Sequence, residues 1–131
     1  MALVVMKFGG SSVADSDKMK LVASRVIEKK KNGNKVVVVV SAPGDTTDDL
    51  ITMSEKITTD PNPREMDLLL ATGEQVSISL LAMTIQSQGE NAIALTGPQA
   101  GIYADLDHSK ARVTKIVPKK FQTVDGAYEL K

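Results

Sequence analysis

Apolar residues open the chain. Ala2 to Phe8 is a β-rich run with Val4 and Val5 at its centre, and Gly9-Gly10-Ser11-Ser12 breaks it. The apolar period then changes. Met19, Val22, Val26 and Ile27 recur at steps of three and four, which places them on one face of a helix. Asp15 or Ser16 can cap the start of that helix. Lys29 to Lys31 suit the negative end of its dipole, and Asn32-Gly33 stops it. Val36 to Val40 follows as five consecutive valines. Alternation is absent there, so both faces are expected to be buried, as in a parallel sheet with helices on two sides.

Ser41-Ala42-Pro43-Gly44-Asp45 is then a loop at the carboxyl end of the second strand. A helix is expected from about Thr47 to Thr58, and Asp60-Pro61-Asn62-Pro63 breaks it. Arg64 to Gln88 is the longest helical pattern, with Gly89 as its stop. Gly73 lies inside this pattern, where glycine costs about 1 kcal/mol relative to alanine. Either something approaches the helix backbone closely there, or the helix starts afresh nearby. Ala92 to Leu95 predicts a short strand, Thr96 to Asp105 a loop and extended segment, and Ala111 to Val117 a further strand. Together these predict an α/β layered domain.

Composition narrows the partners. A length of 131 residues fits one domain better than two. With 42% hydrophobic and 24% charged residues, a globular fold is expected rather than disorder. Sixteen Lys and Arg balance sixteen Asp and Glu, so no global field recruits nucleic acid or an acidic membrane. Aromatic residues, at 3%, are too few for a base-stacking surface. No cysteine is present, which removes disulfides, thiolate metal sites and cysteine nucleophiles and fits a cytoplasmic protein. No stretch is expected to reach the length of a membrane span, and the apolar N-terminus reads as a strand rather than a signal peptide.

In an open α/β sheet, ligands bind beyond the carboxyl ends of the strands. Lys7-Phe8-Gly9-Gly10-Ser11-Ser12 is one candidate there, since glycines let backbone N–H groups approach an anion and Lys7 adds a positive charge. It is neither a Walker loop nor a GxGxxG fingerprint, and the same residues serve a plain strand-to-helix turn. Ser41 to Asp48 is a second candidate, with Ser41, Thr46, Thr47 and Asp48 able to bond a polar substrate. Helix capping by Thr46 or Thr47 is the plainer explanation of the loop taken alone. Thr72-Gly73-Glu74 is a third, in which Glu74 could hold a substrate ammonium or simply be a solvated helical carboxylate. His108, the single histidine, reads as an exposed loop residue with no clustered co-ligands, so no metal site is expected.

In this order and spacing the segments resemble aspartate kinases. Lys7-Phe8-Gly9-Gly10-Ser11-Ser12-Val13 is similar to their K-F-G-G-[ST]-S-V opening, and Val36 to Ala42 to their V-V-V-V-S-A strand and loop. Arg64-Glu65-Met66-Asp67, followed by Leu70 to Ser77, resembles their R-E-x-D-x-L-L-A-T-G-E-Q-V-S helix. Thr96 to Ile102, with Asp105, His108, Lys110, Ala111 and Arg112, is similar to their T-G-x-Q-A-G-I…D…H-x-K-A-R segment. The likeness covers Met1 to about Ile116.

The resemblance implies the N-terminal portion of an amino-acid-kinase fold, a layered α/β/α sheet. It implies transfer of the ATP γ-phosphoryl group to the side-chain carboxylate of L-aspartate, with Mg²⁺ accompanying ATP. It assigns Lys7 to the transferring phosphoryl group and Gly9 and Gly10 to backbone donation, with Ser11 beside them. Ser41 and Thr47 would face aspartate, and Glu74 would pair with its ammonium. Ser11 stands where threonine is common, and Pro43-Gly44-Asp45 replaces the usual start of the loop, so Thr46 competes with Thr47 for the substrate role. The family continues into a half bearing G-R-G-G-S-D and T-D-V-D-G-V-Y segments and then ACT-type regulatory domains. Residues 1–131 are therefore expected to be a partial kinase domain with an incomplete nucleotide pocket. Val124 to Tyr128 only echoes the nucleotide loop. An exposed apolar sheet face and edge would follow, met by self-association or a complementing chain. The competing readings are a non-catalytic module that binds a partner chain, and a kinase of another small acid such as glutamate.

Overall fold

A computed structural model of the chain describes residues 2–108 and 110–117. Its elements are β1 (Leu3–Phe8), a 3-10 turn (Gly10–Val13), α1 (Ser16–Lys31), β2 (Lys35–Val40), α2 (Thr46–Glu55), α3 (Pro63–Ser87), β3 (Ile102–Ala104) and β4 (Val113–Ile116). The chain divides into two compact units, one running to Ala94 and one beginning at Leu95.

In the first unit β1 and β2 pair in parallel, Leu3 opposite Lys35 through Phe8 opposite Val40. The connection is α1, as the β-α-β reading expects. Asp15 caps α1 by accepting the Lys18 N–H at 2.8 Å, and Lys29 to Lys31 occupy the last turn. Lys30 in that turn also pairs with Glu90 at 2.8 Å. The buried face of α1 is Met19, Val22, Ala23, Val26 and Ile27. These residues form the core with Val13, Leu81 and Ile85, and Met6, Phe8, Val36, Val38, Val40 and Ala92 pack against it.

The valine run is covered on one side only. Strand pleating sends Met6, Phe8, Val36, Val38 and Val40 toward the core, and Leu3, Val5, Lys7, Val37 and Val39 to the opposite face. Leu3, Val5 and Val39 remain 66%, 63% and 47% exposed. Burial of both faces, expected from the missing alternation, is thus not met within this unit. Its helices α1 and α3 pack against each other over the same face. The exposed apolar face implied by the family resemblance is present instead.

α2 begins one residue earlier than expected and ends at Glu55. α3 runs unbroken through Gly73, and Asn62 caps it by accepting the Arg64 N–H at 2.9 Å, with Pro63 in the first turn. Its 25 residues include a window of mean hydropathy 1.5, long and apolar enough to cross a membrane by length and composition. This corrects the expectation that no stretch reaches that length. The long apolar side chains of this helix outweigh Glu74 and Gln75 in that average. Gly73, Ser77, Leu81 and Ile85 are buried at steps of four, and Leu81 and Ile85 belong to the core, so one face of α3 packs into it.

Ala92 to Leu95 is not a strand, since no ladder partner lies beside it among the described residues. Ala92 packs instead against the core, and its carbonyl accepts the Gln86 side-chain amide at 3.0 Å. In the second unit β3 and β4 pair antiparallel, Ile102 opposite Ile116 and Ala104 opposite Val113. The turn before β3 is closed by Ala100 N–H to Thr96 O at 2.9 Å and Ile102 N–H to Gly97 O at 2.8 Å. His108 is half-buried rather than exposed. Val124 to Tyr128 lies outside the described residues.

Candidate functional site

The carboxyl ends of β1 and β2 carry the first unit's chemistry. After Phe8 the chain turns through Gly9 into the 3-10 turn, closed by Ser12 N–H to Gly9 O at 3.1 Å. The loop after β2 lies directly upon it. Ser41 N–H donates to Phe8 O at 3.2 Å, and Gly44 N–H donates to Gly10 O at 2.9 Å. This contact requires glycine at position 10. A Cβ there would stand 2.6 Å from the Ala42 backbone oxygen and 3.2 Å from that of Gly44. Gly9 is the opposite case, for a Cβ there would meet nothing within 4 Å. One glycine lets two loops touch, while the other faces open space.

α3 closes the loop from its other side. A Cβ on Gly73 would stand 2.9 Å from Ala42 Cβ and 3.3 Å from Thr46 Cγ2. The close approach expected at that glycine is therefore real, and Ala42, only 4% exposed, sits between Gly10 and Gly73. One turn further along α3, Ser77 is 0% exposed and its hydroxyl donates to Ser41 O at 2.7 Å.

The sequence-derived residues fall around this junction. Lys7 is exposed on the uncovered sheet face, two residues before the glycine turn. Gly9 and Ser11 are exposed, and Gly10 is half-buried. Ser41 and Thr47 are half-buried, and no hydrogen bond among the described residues takes either hydroxyl. Thr46 differs, since its hydroxyl donates to Pro43 O. Neither threonine caps α2. Asp45 holds the cap position and makes no side-chain cap bond. Glu74 is exposed on α3 beside Gly73.

The arrangement can present backbone donors, one lysine, two uncommitted hydroxyls and a carboxylate at one end of a parallel sheet. That combination suits an anionic group next to a zwitterionic acid. It does not enclose either. Two shallow depressions in the first unit, one lined by Ser24, Glu28, Lys31 and Gln88 and one by Thr72, Gln75, Val76 and Leu80, contain none of these residues. No group of three His, Asp or Glu residues able to hold a metal ion occurs among the described residues. Ala42 and Ser77 were not singled out in the sequence. The signal for Ser77 was available, because it falls four residues after Gly73 and so on the same face of α3.

The geometry defines a loop-lined site at the open end of a parallel α/β sheet, and comparison with known proteins gives its class. The description of the amino acid kinase family matches residues 2–125, so the chain belongs to the amino acid kinase family. Within that family it is similar to the aspartokinase of Mycobacterium tuberculosis, 50% identical over 123 residues, covering 94% of this chain and 29% of the relative. The aspartokinase of Bacillus sp. (strain MGA3) is 53% identical over 122 residues, covering 93% of this chain and 30% of the relative. A crystal structure of aspartate kinase from Synechocystis superposes with a TM-score of 0.73 at 47% identity, covering 76% of this chain and 17% of that one. The chain thus spans under a third of the length of these relatives, and its α/β elements match part of the solved kinase.

Proposed function

We propose that this chain forms the phosphoryl- and aspartate-facing part of an aspartate kinase. The reaction moves the γ-phosphoryl group of ATP to the side-chain carboxylate of L-aspartate, giving 4-phospho-L-aspartate and ADP. The observation that carries the reading is the convergence of Gly10, Ala42 and Gly73 at the carboxyl ends of the parallel strands, in a chain half identical to aspartokinases. Phosphoryl transfer asks the protein mainly for positioning and charge stabilisation. Lys7 supplies charge to the transferring group, and the open-sided Gly9, with Gly10 and Ser11, offers donors to the phosphates. Ser41 and Thr47 bond aspartate, and Glu74 pairs with its ammonium. Thr47 is preferred to Thr46 because the Thr46 hydroxyl is already given to Pro43.

The donor set fits the phosphate part of ATP. Mg²⁺ would be held chiefly by the nucleotide phosphates, which neutralise and orient it. The uncovered sheet face supports a partner that supplies the second helical layer, either a second copy or the remaining portion of such a kinase fold. A cytoplasmic location accords with the cysteine-free composition.

The test is a chimera in which residues 2–116 replace the matching segment of the M. tuberculosis aspartokinase. It should form a hydroxylamine-trappable acyl phosphate from ATP, Mg²⁺ and L-aspartate, and Lys7→Ala should abolish this. A folded chimera that acylates hydroxylamine only with L-glutamate would establish the other-acid reading. One that forms no acyl phosphate would favour a non-catalytic binding module. The 131-residue chain by itself is expected to form none, because its described residues leave the site open.

A further inference from the structure

We propose that Ser77 is a positioning residue for the acid-substrate side of the site, acting through the Ser41 peptide. This deepens the proposed function and rests on it for the identity of the ligand. Both polar groups of the Ser41 backbone are committed. Its N–H goes to Phe8 O at 3.2 Å and its carbonyl receives the Ser77 hydroxyl at 2.7 Å. Its side-chain hydroxyl is left uncommitted among the described residues. The peptide is therefore held from β1 on one side and from α3 on the other, while the group that would meet the ligand is free to do so.

Ser77 suits this role for a physical reason. It is the buried polar residue of the first unit, at 0% exposure, and its acceptor lies 36 residues away rather than in its own helix. A serine in a helix commonly bonds back to a carbonyl three or four residues earlier, as Thr72 and Thr84 do here. Ser77 reaches across instead. With Gly73 one turn before it, it forms a small-residue face on α3 against which the loop of Ala42 rests. Glu74 is covalently next to Gly73 on the same helix. Ser77 thus couples the helix that carries the carboxylate to the loop that carries the hydroxyls. If that bond is lost, the Ser41 carbonyl has no donor from α3, and the loop keeps only its bonds to Phe8 and Gly10.

The experiment compares the wild-type 131-residue chain with Ser77→Ala, which removes one oxygen, and with Ser79→Ala on the exposed side of the same helix. Two quantities are read: amide hydrogen exchange residue by residue, and L-aspartate affinity by calorimetry. For Ser77→Ala, exchange at the Ser41 and Gly44 amides is expected to rise about tenfold, with the β1–β2 ladder amides unchanged, the size of one net hydrogen bond. L-Aspartate affinity is expected to fall by a similar factor, and Ser79→Ala should match wild type in both. Unchanged exchange at Ser41 and Gly44 would overturn the proposal. So would a uniform rise across the whole unit, which would make Ser77 a general stability residue. Faster loop exchange with undiminished aspartate affinity would also overturn it, leaving a structural bond with no bearing on the ligand. A wild-type chain that binds no L-aspartate would count against the substrate reading alone. The exchange measurement would still decide whether Ser77 holds the loop.

Discussion

Replacing Gly73 by alanine sets two opposed effects against each other. In an unencumbered helix interior the change stabilises by about 1 kcal/mol, since glycine has more backbone entropy to lose. At this position the new methyl would stand 2.9 Å from Ala42 Cβ and 3.3 Å from Thr46 Cγ2. Ala42 Cβ is fixed to the backbone and cannot rotate away, so the loop or the helix must shift. The loop is held by Ser41 N–H to Phe8 O, Gly44 N–H to Gly10 O and Ser77 to Ser41 O. Overpacking against such a rigid neighbour costs roughly 1–3 kcal/mol. The steric cost therefore outweighs the helix gain, and Gly73→Ala should lose about 1 kcal/mol overall. For a chain of this size that corresponds to a fall in Tm of about 4 °C. Thermal and urea unfolding followed by circular dichroism measure it, and faster amide exchange at Ser41 and Gly44 should accompany it. A variant as stable as wild type, or more so, would refute the claim that close approach by Ala42 is what requires glycine in α3.

Three further outcomes are expected. Gly10→Ala puts a Cβ 2.6 Å from a backbone oxygen rather than a side chain, so it should cost more than Gly73→Ala, about 2 kcal/mol or above by urea unfolding. The Lys30 ammonium bonds to Glu90 and its charge attracts the carboxylate, which holds the Glu90 pKa below the ordinary carboxylate value. A depressed folded-state pKa contributes stability above the unfolded value and loses it as pH falls through the folded one. Glu90→Gln should therefore be the less stable protein at neutral pH, and its deficit against wild type should shrink as the solution is acidified, read from paired unfolding curves. Val5→Lys, on the uncovered sheet face, should reduce concentration-dependent association in light scattering while leaving the unfolding midpoint nearly unchanged. Strictly monomeric wild-type chain at high concentration would remove that expectation.

Much of the fold was legible because it is local. The period of Met19, Val22, Val26 and Ile27, the cap at Asp15 and the stop at Asn32-Gly33 each depend on neighbours a turn or less away. The strand expected at Ala92 to Leu95, which does not form, is of the other kind, because a strand exists only where a partner pairs with it, and pairing is not local. The same holds for the one-sided burial of the valine run. Five valines state that the segment is apolar, but which face is covered depends on where α1 and α3 dock.

The site divides in the same way. The order of the Lys7-Phe8-Gly9-Gly10, Ser41-Ala42 and Thr72-Gly73-Glu74 segments was enough to indicate the family, and Gly73 could be marked as a place of close approach from helix propensity alone. The sequence left Gly9 and Gly10 equivalent. The structure separates them, since one faces open space and the other lies under Ala42. It left Thr46 and Thr47 in competition, and a single bond to Pro43 sets them apart. Ser77 is one of several polar residues in the helical pattern, and only the fold puts its acceptor 36 positions away. The sequence by itself determined most of the elements and the family they belong to, because propensity, capping and motif order are written along the chain. Only the tertiary structure decided what each glycine and hydroxyl touches, because that depends on atoms that folding brings together from distant parts of the chain.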